Sequence, residues 1–143
     1  MFKTIALENG SYLRLDFIAP SIFRLRMNDI PNFPESGMVR YGIVDAACGE
    51  FPVQEKVQAQ NLEFTTSAAG LSVDTQTGKI ELRDERSTVR LQSDLAPKSS
   101  LNTGFEISFK LAPQTRLYGL GDETRDRIQK RGHKNIMVVR NVA

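Results

Sequence analysis

Side chains able to do acid–base or covalent chemistry are few in this 143-residue sequence, and their spacing sets what they can do. Two acidic pairs, Asp84-Glu85 and Asp122-Glu123, come first. Glycosidic hydrolysis needs two carboxyl groups facing each other across the bond, roughly 5 to 9.5 Å apart. Neighbouring residues on a strand leave from opposite faces, so neither pair has that arrangement, and adjacent acids in a turn read as solvated surface. His133, the single histidine, sits in the basic stretch Lys130-Arg131-Gly132-His133-Lys134 with no orienting acid close in sequence. It reads as a surface imidazole rather than a general base. The single cysteine, Cys48, excludes an internal disulfide, and one cysteine with one histidine leaves no Cys/His zinc cluster. In Ala46-Ala47-Cys48-Gly49 it reads as a buried or idle thiol, and no serine occupies a G-x-S-x-G setting. Gly119-Leu120-Gly121 opens like a dinucleotide fingerprint, but Thr124 stands at the third position and no βαβ unit surrounds it. Two glycines there point to a tight backbone junction. No catalytic residue, metal ligand or cofactor is expected.

The elements that must position these residues are strands. Leu13, Leu15 and Phe17 alternate with Arg14 and Asp16, and Phe23, Leu25 and Met27 alternate with Arg24 and Arg26 after a break at Ala19-Pro20-Ser21. Leu71 and Val73 can pair with Ile80 and Leu82 across a loop closed by Gly78, a hairpin signal. Val89 and Leu91 follow the polar turn Asp84-Glu85-Arg86-Ser87. Phe105, Ile107, Phe109 and Leu111 alternate with Glu106, Ser108 and Lys110, which predicts a half-buried antiparallel strand. Helical patterning is poor: Glu55 to Phe64 fits a short helix, while Leu62 to Thr65 fits a strand equally well. Asn28 to Ser36 and Ala96 to Thr103 read as irregular. Eight or more short strands, each with one apolar face, imply an all-β, antiparallel two-sheet β-sandwich. Residues 1–143 read as a single domain.

Composition narrows the class. With 40% hydrophobic and 25% charged residues, the chain reads as an ordinary globular domain. No stretch approaches the ~18 apolar residues of a membrane helix, and the N-terminus lacks the apolar region of a secretory signal, so a cytoplasmic location is expected and no membrane partner. Nineteen basic and seventeen acidic residues give +2, too little to predict a nucleic-acid partner. The distribution is uneven. From Arg125 onward stand Arg125, Arg127, Lys130, Arg131, Lys134 and Arg140 against Asp126 alone, while the remainder carries a net −3. No aromatic residue lies among those charges to stack on a base, and a surface meeting an acidic neighbouring domain explains the run better.

At the glycine junction the sequence becomes recognisable. Leu117-Tyr118-Gly119-Leu120-Gly121-Asp122-Glu123, followed by Gln129-Lys130-Arg131-Gly132, resembles the "(F/L)-Y-G-L-G-E … N-K-R-G" signature of glycoside hydrolase family 31, the α-glucosidases, α-xylosidases and relatives. Upstream, Leu13 to Arg26 is similar to the "V-x-V-x-x-x-x-P-x-x-x-R-x-R" opening strand pair of that family's N-terminal domain. The resemblance covers nearly the whole chain. It implies a galactose mutarotase-like sandwich ahead of a catalytic (β/α)₈ barrel, the barrel expected downstream and absent from this chain. It also implies that the nucleophile and acid/base are barrel aspartates, so this domain is non-catalytic by itself.

Within the resemblance, Tyr118, Gly119, Gly121, Asp122, Glu123, Lys130, Arg131 and Gly132 form the structural signature at the domain interface. A loop beyond it reaches over the barrel mouth in the family. Here that place falls at Val139-Arg140-Asn141-Val142, so Asn141 stands where an acid is usual, with Arg140 beside it, and both are the candidate substrate contacts. The expected partners are the catalytic barrel of the same polypeptide and an oligosaccharide at the domain junction. Ile136 to Val139 is a strand-grade run and Arg140 to Ala143 finishes without a polar tail, so a continuing reading frame is expected. The alternative is a free-standing carbohydrate-binding β-sandwich, against which the absence of tryptophan and the count of three tyrosines weigh. An aldose mutarotase resembles the fold but relies on histidines with a glutamate, and one histidine does not suffice.

Overall fold

Period-2 alternation places Leu13, Leu15 and Phe17 on one face of a strand, and all three are buried. In the computed structural model, which describes residues 1–94, 96–100, 104–118 and 131–132, that strand is the centre of a three-stranded antiparallel sheet. Its members are β1 (Phe2–Ala6), β2 (Tyr12–Ala19) and β3 (Ile22–Asn28), in that order. Leu13 faces Met27, Leu15 faces Leu25 and Phe17 faces Phe23 across the β2–β3 pair, and Pro20-Ser21 makes the turn at the expected break. A register shift between Phe17 and Ala19 marks an irregularity just before that turn.

A second sheet is a five-stranded meander: β4 (Gln54–Gln58), β5 (Asn61–Thr65), β6 (Ala69–Asp74), β7 (Ile80–Asp84) and β8 (Val89–Gln92). The hairpin read from sequence forms in the expected register, Val73 opposite Ile80 and Leu71 opposite Leu82. The helical reading of Glu55 to Phe64 does not hold. Gln54–Gln58 and Asn61–Thr65 pair through a tight turn at Ala59-Gln60, with Ala59 at φ 49°. Apolar side chains from both sheets form one core that includes Leu13, Leu15, Phe17, Phe64, Leu71, Val73 and Ile80. Phe17 meets Phe23 and Phe64 edge-on, with ring centroids 5.8 and 5.5 Å apart. The chain is therefore an antiparallel β-sandwich over these residues.

Two segments differ from expectation. The strand predicted over Phe105 to Leu111 is realised only as β10 (Gly104–Glu106), paired with β9 (Lys98–Ser100) inside a stretch expected to be irregular. Beyond β10, among the described residues, the chain makes one bridge, Phe109 to Ser93, flanked by Asp94 N–H donating to Ser108 O at 2.9 Å and Lys110 N–H to Gln92 O at 2.8 Å. Ile107 and Phe109 still pack on the core. The alternation thus holds for the burial of Ile107 and Phe109, whereas Leu111 is exposed and the ladder pairing expected beyond Glu106 does not form. A single helical turn, α1 (Gly37–Arg40), has no buried residue. The described chain divides into two compact units, Met1–Lys110 and Leu111–Ala143.

Candidate functional site

In the second unit the chain turns at Ala112–Thr115, where Thr115 N–H donates to Ala112 O at 3.0 Å. Arg131 completes that turn from far along the sequence. Its Nη1 donates to Ala112 O at 2.7 Å and to Thr115 O at 3.0 Å. A guanidinium presents several donors in a fixed fork, so one side chain can hold both carbonyls of the turn, the Ala112 oxygen accepting from Thr115 N–H as well. Gly132 follows at φ +78°, a conformation that costs glycine little, and Tyr118 is exposed. Gly119, Gly121, Asp122, Glu123, Lys130, Arg140 and Asn141 lie outside the described residues, as does His133.

Elsewhere the structure assembles polar groups that sequence reasoning left apart. Asp16 points away from the core on β2, as its alternation requires, yet it is buried. Arg14 Nε lies 2.7 Å from its Oδ1, and Arg26 Nε and Nη2 lie 3.1 and 2.8 Å from its Oδ2. Arg26 Nη1 also donates to Phe33 O at 3.0 Å and meets Glu35 Oε1 at 3.0 Å. Arg24 Nη2 reaches Glu35 Oε2 at 2.7 Å. The hydrogen bond from Arg24, with Arg26 adding to it, holds the Glu35 carboxyl below the ordinary glutamate value. Two guanidiniums therefore saturate Asp16, which leaves it no role as a nucleophile or general base. The cluster instead fastens the irregular segment 29–36 over the outer face of the three-stranded sheet. The signal for it was the pair Arg24 and Arg26, whose register puts them beside Asp16 and Arg14.

The outer face of the five-stranded sheet carries a second set. Lys56, Glu63, Ser72, Glu81 and Gln92 form one cross-strand row from β4 to β8. Gln92 Nε2 donates to Glu81 Oε2 at 2.8 Å, and Arg83 bridges Glu63 and Glu81. A polar recess of about 340 Å³ opens above this row. The acidic pair Asp84-Glu85 sits at the β7–β8 turn, where Asp84 Oδ1 accepts the N–H groups of Arg86 and Thr88, each at 2.9 Å. The Thr88 N–H, with Arg90 assisting, keeps the Asp84 carboxyl below its ordinary value. That aspartate is a turn clasp.

A three-stranded and a five-stranded antiparallel sheet sharing one apolar core define a β-sandwich domain. Residues 12–143 match the family described as "Glycosyl hydrolase 31 N-terminal galactose mutarotase-like domain", and the chain belongs to that family. Among solved structures it is similar to the α-xylosidase of glycoside hydrolase family 31 from Xanthomonas citri, with a TM-score of 0.71 and 18% identity over 92% of this chain. The chain spans 15% of that protein's length. No curated protein matches it in sequence. Among the described residues no helix is long and apolar enough to cross a membrane.

Proposed function

We propose that this chain serves as the non-catalytic N-terminal sandwich of a cytoplasmic α-glycosidase. In this reading it packs on a catalytic barrel of the same polypeptide and shapes the substrate entrance. The family match across residues 12–143 carries the reading. Hydrolysis of α-glycosidic bonds in oligosaccharides belongs to the parent enzyme, where two barrel carboxylates act by retention through a covalent glycosyl-enzyme. The sandwich contributes position. Arg131 locks the 112–115 turn, which fixes the stretch leading into the glycine junction. In the same reading Arg125 and Arg127 would pair with barrel carboxylates, and Arg140 and Asn141 would serve as sugar contacts, where an amide can both donate to and accept from a hydroxyl.

The test compares two proteins: the 143-residue chain and the product of the whole reading frame that contains it. Each is assayed on p-nitrophenyl α-xyloside and α-glucoside. The expected result is hydrolysis by the longer protein and none by the chain alone. A reading frame that stops at Ala143, or turnover by the chain itself, overturns the proposal.

A further inference from the structure

We infer that residues 37–44, between β3 and β4, form a docking knob that seats in an apolar hollow of the catalytic domain of the same polypeptide. The segment holds its own shape. The N–H groups of residues 39–44 donate to the carbonyls of Ser36, Gly37, Met38 and Val39 at 2.9 to 3.2 Å. Tyr41 is the C-cap of α1, and Gly42 follows it at φ +68°. Ile43 N–H then reaches back to Met38 O and Gly42 N–H to Val39 O, the paired bonds that close a helix through a left-handed residue. The side chains on this closed turn face water. Tyr41 and Ile43 are 80% and 69% exposed, Met38 and Val44 are exposed as well, and α1 has no buried residue. Met38 O accepts from both Ile43 and Val44, so the four side chains project from one short stretch. Solitary exposed apolar side chains are ordinary, whereas a cluster of them marks a contact surface.

Size and charge select the partner. A stable interface between separate chains takes about 20–30 residues a side, far more than residues 37–44 supply. A small knob suffices when both surfaces belong to one polypeptide, because tethering supplies the effective concentration that area would otherwise have to replace. The chain spans 15% of the length of the α-xylosidase it resembles, so a protein of that kind has ample surface outside the sandwich to receive the knob. Arg40 is the one charged residue in the segment, and it makes no ion pair among the described residues. It fits an acid at the rim of the hollow, where interface charges belong. Tyr41 is the anchor: a large side chain with few rotatable bonds, presented by a turn that is already closed, so docking orders little. This docking rests on the reading of the chain as the sandwich of a longer glycosidase.

The experiment compares hydroxyl-radical oxidation of Met38 and Tyr41 in the 143-residue chain and in the product of the whole reading frame that contains it. Both residues should oxidise readily in the chain alone and about fivefold or more slowly in the longer protein, where the contact excludes water. A photoreactive benzophenone side chain in place of Tyr41 in the longer protein then identifies the partner: it should join to the catalytic domain, beyond residue 143. Equal oxidation in the two proteins, or joining anywhere else, overturns the docking and leaves the parent-enzyme reading intact. Protection that appears in the chain alone as its concentration rises assigns the knob to a second copy and likewise overturns the docking. A reading frame that stops at Ala143 overturns the parent-enzyme reading and the docking together, so the two failures are distinguishable. Family membership would stand in each of those cases.

Discussion

Removal of the Asp16 carboxylate should unfold the chain at a markedly lower temperature. The Asp16 side chain is 2% exposed, against 25% for Arg14 and 14% for Arg26. Asp16→Ala deletes three charge-assisted hydrogen bonds and leaves two guanidiniums facing one another under the 29–36 segment. Breaking a fully buried pair from one side costs about 3–5 kcal/mol. Here the arginines keep some solvent, and Arg26 keeps Phe33 O and Glu35, so the expected loss is about 2–3 kcal/mol. For a chain of this size each kcal/mol is about 3–4 °C, which gives a drop in Tm of about 6–12 °C.

Thermal and urea unfolding at neutral pH measure the loss, and hydrogen exchange over residues 29–36 locates it. Exchange there should accelerate more than in β6, because Arg26 is the link from Asp16 to Phe33 O. Asp16→Asn keeps the shape without the charge and should lose less than Asp16→Ala. A triple replacement, Arg14→Leu, Asp16→Leu and Arg26→Met, should recover much of the loss, since an apolar set of similar volume avoids desolvating three charges. A loss below about 1 kcal/mol for Asp16→Ala would place the cluster with exposed ion pairs and refute the reasoning.

Gly78 and Gly10 both adopt positive φ, +73° and +87°, but a Cβ at Gly78 would lie 2.8 Å from Leu7 Cδ1 while one at Gly10 meets nothing within 4 Å. Gly10→Ala should therefore lose only the backbone preference, about 1 kcal/mol, and Gly78→Ala roughly twice that, read as urea midpoints; equal losses would mean that Leu7 moves aside freely. For Glu35, a carboxyl held below its ordinary value in the folded chain, the sign is set: the ion pair's contribution is complete above the unfolded glutamate value and fades as pH falls through the depressed folded one. Glu35→Gln should then differ most from the native chain at neutral pH and converge with it on acidification, and a gap that widens toward acid would contradict the assignment.

How far the sequence discloses the structure depends on the distance between the groups that interact. Alternation names the core face of β2, β3, β6 and β7 because each strand's neighbours repeat the same two-residue rule, and the Val73–Ile80 register follows from a short loop closed by Gly78. The same rule sends Asp16 outward, which predicts solvent; it is buried because a segment without regular structure folds over it, and local periodicity carries no information about that segment's path. Residues 107–111 show the complementary failure. Their alternation is real, since Ile107 and Phe109 reach the core, but a strand also needs a partner edge, and here the pairing is a bridge at Ser93. The candidate site divides likewise. The motif exposes Tyr118, Arg131 and Gly132 by residue type, whereas the clasp of Arg131 on Ala112 and Thr115 joins positions 19 and 16 residues apart. The outer-face row lay beyond reach for a further reason: Lys56, Glu63, Ser72, Glu81 and Gln92 each look like ordinary solvent-facing positions, and only the registers of four successive pairings bring them into one line. A polar row built across a sheet, one residue per strand, leaves no contiguous motif, so its detection requires the pairing to be known first.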